Sequence, residues 1–165
     1  MTDSNTSGLA QKLKALHEAP EILRVVNVWD AVSASTVAGL PETKAIATAG
    51  HSIAAAYGYA DGTMPLDIAL AGVKTIVDAV DLPVTADLYD GYDSPGETIR
   101  RAIGLGVVGA NVEDRLRPFD EAVARVQAII AAANGEGIEF QLNARTDAIA
   151  RAGDRPMASA EANYQ

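Results

Sequence analysis

The chain has no cysteine in its 165 residues. That excludes disulfides, thiolate metal centres and any cysteine acting as nucleophile or acid. Aromatic residues are scarce at 5%, and basic residues are few: 13 Lys and Arg against 22 Asp and Glu, a net charge of −9. With that balance and no basic stripe, a nucleic-acid surface is not expected. Long apolar runs are missing too, since charges interrupt every such stretch well before membrane-span length. The opening residues, Met1 to Gly8, are polar and lack the hydrophobic centre of an export signal. These absences fit a cytoplasmic protein that neither crosses a membrane nor binds nucleic acid.

What is present is apolar and alanine-rich, with 48% hydrophobic residues, as expected for helices packed on a sheet. The length fits one domain with a sizeable core. Residues 1–8 read as a flexible lead and 9–165 as the domain, without an internal boundary. Leu9, Leu13 and Leu16 share a helical face that Pro20 ends. Strands are expected near 22–28, 45–48, 83–87, 108–112 and 140–143. Between them, Leu66, Ala69, Leu70, Val73, Ile76, Val77 and Val80 make one apolar helix face, and Ile99, Ala102 and Ile103 another. Ser94 with Glu97 carries a capping-box signature, and Gly106 sits where that helix should stop. A further helix opens at Pro118, with Phe119, Val123, Val126, Ile129, Ile130 and Ala133 on one side. Residues 50–64 read as a long connecting loop, of the kind that often carries function.

Strand–helix alternation predicts a parallel sheet covered by helices. Three of the strands end in polar groups: Asp87, then Glu113-Asp114-Arg115, then Arg145-Thr146-Asp147. Polar strand ends on one side of a parallel sheet are where a β/α-barrel builds its active site. Two acidic strand ends beside a basic one suggest a hard cation next to an anionic substrate. The fold class expected is therefore α/β, a (β/α)8 barrel of which the chain supplies about the first five units. A closed barrel typically needs about 250 residues, so the sequence reads as cut short after the fifth strand.

Five motifs carry a resemblance. They are Asn27-Val28-Trp29-Asp30-Ala31-Val32-Ser33-Ala34, the run from His51 through Tyr57-Gly58-Tyr59-Ala60-Asp61-Gly62, the strand ending at Asp87, Asn111-Val112-Glu113-Asp114, and Asn143-Ala144-Arg145-Thr146-Asp147. In this order and at this spacing, from about residue 9 to 150, the chain resembles the isocitrate lyase/phosphoenolpyruvate mutase superfamily, in its phosphonomutase-like branch. The resemblance implies a modified β/α-barrel, usually a homo-oligomer. It also implies Mg2+, with Mn2+ as a substitute, and cleavage or rearrangement of C–C or P–C bonds in small α-keto or α-hydroxy carboxylic acids.

By the same resemblance Asp87 ligates the metal and Glu113 reaches it through water. The other readings are a capping aspartate and an ion pair of Glu113 with Arg115 or Arg145. Arg145 offers its fork to a substrate carboxylate or to charge on the reacting group, or else is a salt bridge. Asp61 matches a loop aspartate that other members need for activity, against the reading of a turn former. Backbone at Ala49, Gly50 and His51 matches the segment that holds the substrate carboxylate, which makes the His51 side chain an unpromising acid or base. Trp29 and Asp30 read as pocket wall.

Two departures stand out. Tyr89 occupies the position two after the metal aspartate, where members often carry a second acid, and neighbouring Asp90 should point elsewhere. The lysine- and cysteine-bearing gating loop of the isocitrate and methylisocitrate lyases is missing, because Leu116-Arg117 leads directly to Pro118. Lyase chemistry through a cysteine acid is thereby excluded. Cleavage next to the carbonyl of a small dicarboxylate-like acid, through an enolate, is the activity expected. The alternative is a catalytically inactive fragment or degenerate subunit that needs further chain or a partner to complete the barrel.

Overall fold

A computed structural model of the chain describes residues 4–150. Its elements run α1 Ser4–Glu18, β1 Val26–Val28, α2 Ala31–Ala38, β2 Ile46–Thr48, α3 Gly50–Ala56, α4 Leu66–Val77, β3 Val84–Asp87, α5 Pro95–Gly104, β4 Gly109–Glu113, α6 Phe119–Glu136 and β5 Gln141–Arg145. The five strands pair in the order β1-β2-β3-β4-β5, all parallel. This is the α/β alternation expected of successive barrel units, with every C-terminal strand end on the same side.

Register sorts the strand residues by face. Asn27, Ala47, Thr85, Gly109 and Gln141 form one row, and Asp87, Asn111 and Asn143 form the row above it. The alternate positions Val28, Ile46, Val84, Ala86, Leu88 and Ala110 join Ile53, Val73, Ile76, Ile99 and Ile103 of the helices in one core. Period-2 alternation thus leaves a polar inner face on an apolar outer one.

α1 begins at Ser4, inside the stretch read as a lead, because Thr6 and Ala10 are already buried there. Its Leu13, fully buried, reaches the inner face at Gly109. A Cβ at 109 would stand 2.8 Å from the Gln141 carbonyl oxygen, 2.9 Å from Leu13 Cδ2 and 3.1 Å from Thr85 Oγ1. Gly109→Ala should therefore destabilise by about 1–3 kcal/mol, since a strand carbonyl has to move. In a thermal melt this reads as a midpoint lower by roughly 3–10 °C. An unchanged midpoint would mean that Leu13 does not seat against this strand.

Four local expectations are corrected. β1 starts at Val26, because only from the Val26–Ile46 pair does β2 supply a partner; Ile22 before it is 88% exposed. The expected loop 50–64 opens with a helix, α3, whose Ile53 packs onto the bare backbone of Gly72 in α4. Ser94 starts α5 without a side-chain cap bond, since Glu97 turns to Arg100 at 2.6 Å. The capping box forms instead at α2, where Asp30 and Ser33 exchange hydrogen bonds. Of the apolar side expected on α6, Ile129 and Ala133 are buried, while Phe119, Val123 and Ile130 are exposed. No helix among the described residues is long and apolar enough to cross a membrane.

Candidate active site

Asp87 closes β3 and is half-buried on the inner face. Its Oδ2 accepts the Gly50 N–H at 3.0 Å, and its own N–H donates to Thr48 Oγ1 at 3.0 Å. Gly50 is needed for this approach, because a Cβ there would meet the same carboxylate oxygen at 3.0 Å. On the other side Asn111 Nδ2 approaches Oδ1 at 3.5 Å, and Asn143 Nδ2 donates to Asn111 Oδ1 at 2.8 Å. A carboxylate and two amides thus form a ladder across three neighbouring strands. Asn111 and Asn143 were not singled out as site residues from sequence. The available signal was that each lies two residues before a charged strand end, hence on the same face.

The ladder opens into a cavity of about 700 Å³ that Asn27, Thr85, Gln141 and Arg145 also line, with Leu13 and His17 at its far end. One pleat above Asp87, Glu113 and Arg145 face each other in register and pair at 3.0 Å. The second Arg145 nitrogen pairs with Asp147 Oδ1 at 3.0 Å. Burial raises the Glu113 carboxyl above its ordinary range; Arg145 opposes the shift, and Asp147 and Asp87 add to it. The three strand-end residues thus converge, and Glu113 also takes the ion pair that was its alternative reading.

The remaining residues divide. The Ala49 N–H donates to the Val28 carbonyl and the Gly50 N–H to Asp87. Two of the three amides expected to hold a substrate carboxylate are therefore engaged within the fold. His51 is exposed, with Nε2 3.0 Å from Ser52 Oγ. Asp30 caps α2, and Trp29 is 44% exposed; neither lines the cavity. Asp61 lies exposed in the loop after α3, beside the phenol of Tyr89. That phenol is buried and meets hydrogen-bond geometry with no partner among the described residues. Burial is the first cause that pushes it up to about 12; Asp61 and Asp87 act in the same direction against the Gly62 backbone.

Below this, two loops are locked together. Asp90 is buried and takes Arg117 at 2.6 Å, as expected of a residue turned away from the cavity. Burial works to raise its carboxyl, but the Arg117 hydrogen bond and the Arg115 charge outweigh it and hold the group below the usual carboxylate range. Arg125 donates to the carbonyls of Asp90 and Tyr92.

The model of the phosphoenolpyruvate phosphomutase family matches residues 13–162. The chain belongs to this family. Among solved structures, a Burkholderia cenocepacia J2315 protein assigned as a phosphonomutase is 38% identical to this phosphomutase-family chain, with a TM-score of 0.88 over 94% of this chain and 70% of its own. A protein of the same organism assigned as a lyase/mutase is 30% identical, with a TM-score of 0.84 over 97% of this chain and 61% of its own. A 2,3-dimethylmalate lyase is 25% identical, with a TM-score of 0.78 over 94% of this chain and 61% of its own. The chain thus spans between three fifths and seven tenths of these relatives. No curated protein matches it.

The donor set can be tested against the divalent cation that the family implies. Among the described residues no group of three or more His, Cys, Asp or Glu is gathered as a metal cage. Mg2+ does not need one: it keeps several waters and takes one or two carboxylates. Asp87 Oδ1, with only a long contact to Asn111 Nδ2, is a carboxylate oxygen of that kind. The residues fit the ion.

Proposed function

We propose that this chain carries the metal- and substrate-binding face of an Mg2+-dependent enzyme that cleaves or rearranges a C–C or P–C bond in a small α-keto or α-hydroxy carboxylic acid. The observation that carries the reading is the Asp87–Asn111–Asn143 ladder opening, beside Arg145, into one cavity on the inner face of the sheet. Asp87 would hold the ion directly and Glu113 through water. Bound there, Mg2+ would contribute Lewis-acid stabilisation of an enolate oxygen.

The chain's own residues supply the rest. Gly50 and Asn111 fix the Asp87 carboxylate from two sides, so that little reorganisation is needed when substrate arrives. Glu113 and Asp147 hold the Arg145 guanidinium at two nitrogens, and its remaining N–H groups are the cationic donors for the group that departs or migrates. Asp61 is the residue we assign to proton exchange, at a carboxylate oxygen. With no cysteine in the chain, a second acid of that type is excluded.

The test is calorimetry on the full chain with oxalate, a planar dianion resembling pyruvate enolate, in the presence and absence of Mg2+. Oxalate should bind only with the metal, and oxaloacetate should be turned over. A second reading, a chain that binds but turns nothing over until a partner joins it, is favoured by β1 and β5 each pairing with one strand only among the described residues. Metal-dependent oxalate binding without turnover would select it. Metal-independent or absent oxalate binding would overturn the proposal.

A further inference from the structure

The two carboxylate oxygens of Asp87 are held differently. Oδ2 accepts the Gly50 N–H at 3.0 Å, whereas Oδ1 has only Asn111 Nδ2, at 3.5 Å. An ionised carboxylate accepts hydrogen bonds and donates none, so Asn111 has to turn its nitrogen there and not its oxygen. The two ends of an amide are nearly alike in shape, and a half-turn of the side chain exchanges them. At 3.5 Å the contact lies at the outer limit of a hydrogen bond, too long to hold that orientation alone.

The orientation is fixed one strand further out. Asn143 of β5 stands in register with Asn111, as Asn111 does with Asp87, and both amides line the cavity. Asn143 Nδ2 donates to Asn111 Oδ1 at 2.8 Å, the short bond of the row. It engages the Asn111 oxygen on the side away from Asp87 and leaves the nitrogen toward the carboxylate. Reversed, Asn111 would set oxygen against Asp87 Oδ1 and nitrogen against the Asn143 nitrogen. The row therefore runs one way, from Asn143 through Asn111 to Asp87, because its last member can only accept. The neighbouring polar groups of β5 are committed elsewhere. Gln141 Nε2 donates to the Glu139 carbonyl at 2.8 Å, and Arg145 is shared between Glu113 and Asp147 at 3.0 Å each.

We propose that Asn143 is a positioning residue: acting through Asn111, it sets the orientation of the amide beside Asp87 and keeps Oδ1 aligned without occupying it. This rests on the proposed function, in which Asp87 takes the ion, and adds a residue that acts on that ligand from two strands away. Partners that orient a metal ligand tune its affinity without touching the metal. A carboxylate already aligned by fixed N–H dipoles needs little rearrangement when a cation arrives. Without Asn143 the Asn111 amide is free to turn over, and that alignment is lost.

The experiment is a double-mutant cycle on the full chain, read as Mg2+ affinity by calorimetry. Asn143→Ala should weaken binding by about 3- to 10-fold, the range that one hydrogen bond supplies. Asn143 is exposed, so the thermal midpoint should stay within about 2 °C. In an Asn111→Ala background the same substitution should change affinity by less than about twofold, because the residue it acts through is gone. Asn143→His, which places a ring N–H as far from the backbone as the asparagine nitrogen, should recover part of the loss. An undiminished loss in the Asn111→Ala background would put Asn143 on the ion itself, and a loss that tracks a fall in the midpoint would make it a support of β5. Either result, or unchanged affinity in Asn143→Ala, would overturn the inference while the Asp87 reading stands. Wild type that binds no Mg2+, or Asp87→Asn that binds it as wild type does, would overturn both.

Discussion

Asp87→Ala should lower affinity for Mg2+ or Mn2+ by about 100-fold or more, because groups that only orient a metal ligand already account for about 10–100-fold. Titration calorimetry reads it directly. The substitution also removes the acceptor of the Gly50 N–H, so part of any effect could come from a shifted α3. Asp87→Asn separates the two: its amide oxygen can still accept from Gly50, but the negative charge that a divalent ion needs is lost. Binding should therefore fall nearly as far in the asparagine variant, with α3 undisturbed. Asn111→Ala, which removes one rung beside the carboxylate, should weaken binding by about 10-fold. Metal binding unchanged in Asp87→Asn would move the ion elsewhere in the chain.

Arg117→Ala should destabilise the fold by roughly 2–3 kcal/mol. Removing one partner of a fully buried ion pair costs about 3–5 kcal/mol. Arg117 keeps 30% of its side chain in solvent, and Arg115 stands 4.0 Å from the same carboxylate, so the loss is smaller. The pH dependence identifies the mechanism. The folded-state carboxyl of Asp90 lies below its ordinary value, so the pair stabilises fully above the unfolded carboxylate range, near pH 4. That stabilisation is lost as pH falls through the depressed folded value. Urea unfolding should accordingly show a constant gap between wild type and variant from pH 7 down to about 5. The gap should shrink below about 4. A gap independent of pH down to 3 would assign the effect to lost packing of the arginine stem instead.

The parts of the fold legible in sequence were those where chemistry and periodicity agree. Strand ends changing abruptly from apolar residues to Asp87, to Glu113 and to Arg145 mark both a sheet boundary and a candidate site. The structure puts all three on one side of the parallel sheet. α3 was not legible, because Gly50 and three alanines in seven residues carry little periodicity; its position comes from Ile53 finding the open backbone of Gly72. The Ser94–Glu97 pattern had the right spacing but lost to a nearer partner, Arg100. Asn111 and Asn143 were hidden for the opposite reason: in sequence an amide next to a charge draws less attention than the charge, and only register makes them neighbours of Asp87. The engagement of the Ala49 and Gly50 amides likewise depends on contacts with distant strands, which local pattern cannot supply.

The seating of Leu13 at Gly109, with Lys14 paired to Glu139 at 2.7 Å, joins the first helix to strands made more than ninety positions later. On a ribosome that helix emerges before these strands and has no seat until β4 and β5 have followed it. Contacts of such long sequence separation are slow to form, because chain entropy has to be lost before they stabilise anything. At about 5–20 residues per second, α1 waits several seconds with Leu13 uncovered. Helix α1 thus finds its place later than β1 to β3, and until then it is a segment at which a nascent chain of this protein would meet a chaperone.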